Sequence, residues 1–100
     1  MATNGTHSAA GNGTAHTPTG SKVGVCIVAD ASADMTVAIK RQVGAGTGYQ
    51  LATTSDGKKM TYKLRPNDVV NVDVGCSENI NVRVDCSDYI AGSAEYDIEN

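Results

Sequence analysis

From residue 22 onward, apolar side chains recur at every second position in short runs, and nowhere at the three-to-four-residue spacing of a helix. Period two is the mark of a strand with one buried face. Val23, Val25 and Ile27 share a face in the first run. Met35, Val37 and Ile39 do so in the second, which leaves through Lys40, Arg41 and Gln42 into a glycine-rich loop at residues 44–48. A short run covers residues 49–53, and Met60, Tyr62 and Leu64 then alternate with Lys59, Thr61 and Lys63. Val70, Val72 and Val74 alternate with Asn71 and Asp73; Ile80, Val82, Val84 and Cys86 point inward, with Asn81, Arg83 and Asp85 outward. The last run sets Ala94, Tyr96 and Ile98 against Glu95, Asp97 and Glu99. Ser55-Asp56-Gly57, Arg65-Pro66-Asn67-Asp68 and residues 75–78 carry turn chemistry between the runs. About seven short strands so spaced predict an all-β chain, an antiparallel β-sandwich of immunoglobulin-like or jelly-roll-like form. Val25, Ile27, Val37, Ile39, Leu64, Val72, Val82, Val84 and Ile98 are its expected core.

Residues 1–21 are different. They hold no charged side chain and, after Met1, no large apolar one. Such a segment cannot bury enough apolar area to offset its ordering entropy, so residues 1–21 are expected to form a flexible, extended N-terminal arm beside a body at residues 22–100. Two Asn-Gly-Thr repeats, at residues 4–6 and 12–14, read as turn formers. His7 and His16 lack a third ligand type in the arm and are expected to meet solvent or a partner. Thr3, Asn4, His7, Asn12, His16 and Pro18 are accordingly assigned to partner contact.

The formal net charge of -3 argues against a general nucleic-acid binder, whose phosphate neutralisation requires a basic face, so no nucleic-acid partner is expected. The charge is unevenly placed: residues 22–65 hold every basic residue except Arg83, and residues 66–99 hold most of the acids. Two strand sets that complement each other within one sandwich satisfy this pattern, as does complementarity between copies. Lys58, Lys59, Lys63 and Arg65 are expected near Glu95 and Asp97, in the same or a neighbouring copy. Cys26, Cys76 and Cys86 show no CxxC spacing and are expected as free thiols, with a Cys76–Cys86 bridge the alternative. No basic-then-apolar leader opens the chain, and no run reaches transmembrane length, so no membrane partner is expected.

Residues 44–48 lack the GK[ST] ending of a phosphate loop, and the acidic C-terminal residues lack calcium-loop spacing. No serine or cysteine has a base at a motif spacing. The expectation is a binding or structural module: not an enzyme, with no catalytic residue, cofactor or metal site.

Read in order, Met35-Thr36-Val37-Ala38-Ile39-Lys40-Arg41, then Gly48-Tyr49-Gln50-Leu51, then residues 79–98 with Val82-Arg83-Val84-Asp85-Cys86-Ser87-Asp88-Tyr89-Ile90-Ala91-Gly92 at their centre, resemble a recurrent β-sandwich structural module of tailed bacteriophages. Tyr49 stands where that pattern usually has Trp, and Ala91-Gly92 where it has Ser-Gly. The resemblance covers roughly sixty residues. It implies a virion structural protein, a capsid decoration or cement protein assembled in the host cytoplasm, with the major capsid protein and itself, as a homotrimer, for partners. A head-fibre, tail or adhesin module that binds host-surface glycans is the alternative, with Tyr49 and Tyr89 as stacking residues. An immunoglobulin-like spacer domain is a third reading.

Overall fold

The computed structural model describes residues 2–54 and 56–99. Ser55 of the expected Asp-Gly turn lies outside them; its neighbours close that turn, with Gly57 at φ +86° and its amide donating to Thr54 O over 3.0 Å. The described residues contain no helix, and therefore none long and apolar enough to cross a membrane.

Eight strands follow in chain order: β1 Ala2–His7, β2 Lys22–Ala29, β3 Asp34–Gln42, β4 Tyr49–Leu51, β5 Thr61–Leu64, β6 Val69–Gly75, β7 Val82–Ala91 and β8 Ala94–Glu99. One sheet runs β1-β8-β2-β6. The other is centred on β3, with β7 along one side and β4 and β5 sharing the other. All strand pairings are antiparallel, so the chain is an all-β sandwich, as the alternation predicted.

The core is aliphatic. Val25, Val37, Ile39, Val82, Val84 and Ile98 are completely excluded from solvent, and Ile27 and Leu64 nearly so. Val72 departs from the expected list, because it lies half-buried near the rim and packs against the core from outside. Register shifts interrupt the β3–β7 ladder beside Met35 and Val37. They let β7 run on to Ala91, past the point where its alternation ends at Cys86.

Gly92 carries the chain from β7 to β8 at φ +77°, and a Cβ there would lie 2.5 Å from Ala33 Cα. Asp30 secures the same corner by accepting from the Ser93 hydroxyl at 2.8 Å and the Ser32 amide at 3.0 Å. The Ser93 hydroxyl bond, ahead of the Ser32 amide, holds the Asp30 carboxyl below its ordinary range. A carboxyl with a lower folded than unfolded value stabilises the fold at neutral pH, and that contribution disappears as pH falls through the folded value.

The structure corrects the expectation of a flexible arm. Ala2–His7 pairs along its whole length with β8, from Ala2 opposite Glu99 to His7 opposite Ala94, as an edge strand of the first sheet. The segment that follows crosses to the second sheet. Gly11 and Cys86 exchange amide–carbonyl bonds of 3.0 and 2.8 Å, and His16 and Val82 exchange bonds of 2.8 and 2.9 Å, on the outer edge of β7. Residues 2–16 thus bridge the two sheets along one open side of the sandwich, and are called the clasp below.

Candidate functional site

The clasp is held by polar contacts that converge on Tyr96. The inner strip of β1 is Thr3, Gly5 and His7, opposite Ile98, Tyr96 and Ala94. The Tyr96 ring passes beneath Gly5, where a Cβ would come within 2.5 Å of its hydroxyl oxygen. His7 stacks on the same ring, centroids 5.1 Å apart and planes at 28°, and donates from Nε2 to Val84 O at 2.8 Å. The Tyr96 hydroxyl accepts the Thr14 amide at 2.8 Å, and the Thr3 hydroxyl is bonded to His16 Nδ1 at 2.9 Å. Gly13 comes so close to β7 that a Cβ would lie 2.0 Å from Val84 O. The two Asn-Gly-Thr repeats therefore make no hairpin turns. Each sets a glycine against the Tyr96 and Val84 surface, where a side chain would collide.

A second polar cluster covers the outer face of the β3–β7 sheet. Asp85 is only 2% exposed although it points away from the core. Its carboxylate accepts from Arg83 Nε at 2.9 and 3.0 Å and from the Gly13 amide at 3.1 Å, with Lys40 Nζ at 3.5 Å. Arg83 in turn lies over the Tyr49 ring, 3.8 Å from its centroid. β3, β4, β7 and the clasp thus share one buried carboxylate. The outward reading of Asp85 holds for its direction and fails for its exposure, since Lys40, Arg83 and the clasp peptide cover it. Asp85→Ala is expected to lower stability by about 3 kcal/mol, because it strips a buried anion from two cations. Lys63→Ala, which unpairs an ion pair with Asp34 whose side chains are 43% and 44% exposed, should cost under about 1 kcal/mol. Urea unfolding of both variants checks the contrast.

The residues assigned to partner contact are divided by the structure. His7, His16 and Pro18 are buried and Thr3 is half-buried with its hydroxyl engaged, so these four serve the fold; Asn4 and Asn12 remain exposed. Within a single chain the charges pair differently from the first of the two expected arrangements. Lys63 pairs with Asp34, and among the described residues no ion pair joins Lys58, Lys59, Lys63 or Arg65 to Glu95 or Asp97. The cause is topological: β5 belongs to one sheet and β8 to the other. Complementarity within the chain instead runs between adjacent strands, as Lys22–Asp73 and Lys40–Asp85. Tyr49 is occupied by Arg83, and the Tyr89 hydroxyl donates to Gly92 O at 2.8 Å, so both tyrosines are engaged within the chain. Glu95, Asp97 and Glu99 line a shallow depression on the outer face of the first sheet with Asn4 and Cys26.

No group of three or more His, Cys, Asp or Glu side chains among the described residues could hold a metal ion. The three cysteines are free thiols. Cys76 Sγ donates to Gly20 O and Cys86 Sγ to Asp88 O, and burial pushes both thiols upward in pKa. Under native conditions a maleimide is expected to label Cys26, which is part-exposed, and to reach Cys76 and Cys86 only after denaturation. Mass spectrometry of the labelled peptides checks this.

No protein-family model matches the sequence, and no curated protein matches it. Among solved structures, the crystal structure of Yersinia pseudotuberculosis-derived mitogen is similar, with a TM-score of 0.53 at 13% identity over 99% of this chain and 83% of that one. At that identity the likeness supports the all-β fold and carries nothing about activity.

Proposed function

We propose that this chain is a structural protein of a phage virion, a capsid decoration or cement protein that acts by surface contact rather than by catalysis. The observation that carries the reading is where the phage-like segments lie. They fall on β3, β4, β7 and β8, and they supply Lys40, Tyr49, Arg83 and Asp85, which meet in one cluster on the second sheet. Residues 35–41, 48–51 and 79–98 thus cooperate as one packing unit, which is what a shared module requires.

With the clasp occupied inside its own fold, attachment to the major capsid protein passes to the outer sheet faces. The first sheet presents Glu95, Asp97 and Glu99; the connection before β5 and the turn after it present the exposed Lys58, Lys59 and Arg65. Separate exposed groups of opposite sign suit repeated contacts in a lattice and a homotrimer of this chain. The test is quantitative mass spectrometry and antibody labelling of purified particles. A fixed copy number per head, with label over the capsid, is expected; particles without the protein would overturn the proposal, and label confined to the tail tip would transfer the chain to the glycan-binding alternative.

A further inference from the structure

We propose that the clasp is exchangeable, and that residues 2–16 of one copy can occupy the same seam of a second copy of this chain. The inference rests on the geometry of the seam and is independent of the virion reading. The clasp is held through the β8 ladder, the backbone of Val82, Val84 and Cys86, the Asp85 carboxylate, and the Tyr96 ring and hydroxyl. Every residue of the hydrophobic core cluster falls between Val23 and Ile98. The body therefore keeps its core whether the seam is filled by its own clasp or another's.

Residues 17–21 join the clasp to β2 without forming a strand. Fully extended, five residues reach about 17 Å, which sets how closely two bodies must approach for the clasp to cross. In an exchanged pair each seam regains the same hydrogen bonds, so the two forms differ mainly in linker strain and association entropy, and rising concentration favours the pair. The occupant is also specified by shape. A strand entering the seam needs glycine at both positions 5 and 13, because a Cβ meets Tyr96 at the first and Val84 O at the second. A copy of this chain meets that requirement, and an arbitrary extended peptide does not.

Thr6 and Glu95 are exposed cross-strand partners, and so suit disulfide trapping in a Cys26→Ser background. A chain with both Thr6→Cys and Glu95→Cys is expected to close internally on oxidation, which tests the seam itself. When chains carrying one change each are mixed and oxidised, exchange predicts a covalent heterodimer at least tenfold more abundant than either homodimer, with a yield that rises with concentration. Adding Gly13→Ala to the Glu95→Cys chain should hasten its formation, because that chain's own clasp is displaced from its seam while the incoming clasp keeps Gly13. Heterodimer no more abundant than the homodimers, while the double variant closes internally, would overturn exchange. Failure of the double variant to close would remove the seam and the proposal with it.

Discussion

Deleting residues 2–16 should leave a protein that still folds but is less stable by on the order of 3 kcal/mol, a drop of roughly 12 to 24 °C in melting temperature for a domain of this size. The loss has two sources. The deletion removes the β1–β8 ladder and the paired bonds at Cys86 and Val82, and it takes the partners of Val84 O, Asp85 and the Tyr96 hydroxyl from groups packed around them. The entropy regained by freeing the clasp offsets part of this, which keeps the net figure well below the sum of its bonds. The truncated chain should also aggregate more readily, because the edges of β8 and β7 lose their cover. Thermal melting of full-length and truncated protein provides the comparison, and equal midpoints would mean that the clasp contributes nothing.

Val84→Asp is expected to abolish folding altogether. Val84 is wholly buried on the inner face of β7, so the new carboxylate would enter an aliphatic core without a cation or donor. That cost approaches or exceeds the total stability of a small domain. The next residue makes the comparison pointed. Asp85 is as buried as a charge can be, yet it is tolerated because it faces the other way, towards Arg83, Lys40 and the Gly13 amide. Circular dichroism should show no cooperative transition for Val84→Asp, and a soluble variant that melts cooperatively would contradict the strand phase.

Strands with one aliphatic face were legible because burial imprints period two on the residue types, and this carried β2, β3, β6 and β8 nearly intact. β1 was not, because its inner strip of Thr3, Gly5 and His7 has no hydrophobic member. What holds it is close backbone approach and hydrogen bonding, to which hydropathy is blind. A signal was present: Asn-Gly-Thr occurs twice in the uncharged segment, and both histidines of the chain lie there. Taken as turn chemistry, the repeats hid two glycines that lie against the same tyrosine. Charge pairing within the chain was hidden for a related reason. The signs of Lys58–Lys59 and of Glu95 and Asp97 are evident from sequence, but whether they meet depends on which sheet receives β5 and β8, a matter of topology rather than of local pattern.

Residues 2–16 are a working part of the fold rather than a loose arm, and amide hydrogen exchange reads this without altering the molecule. Gly11, Gly13, Thr14 and His16 each donate a backbone hydrogen bond, to Cys86 O, Asp85 Oδ1, Tyr96 Oη and Val82 O respectively. These four amides are expected to exchange at least a hundredfold more slowly than in an unstructured peptide, while that of Ala15, an exposed residue, stays fast. Exchange at free-peptide rates throughout residues 2–16 would contradict it, and would return the segment to a mobile arm.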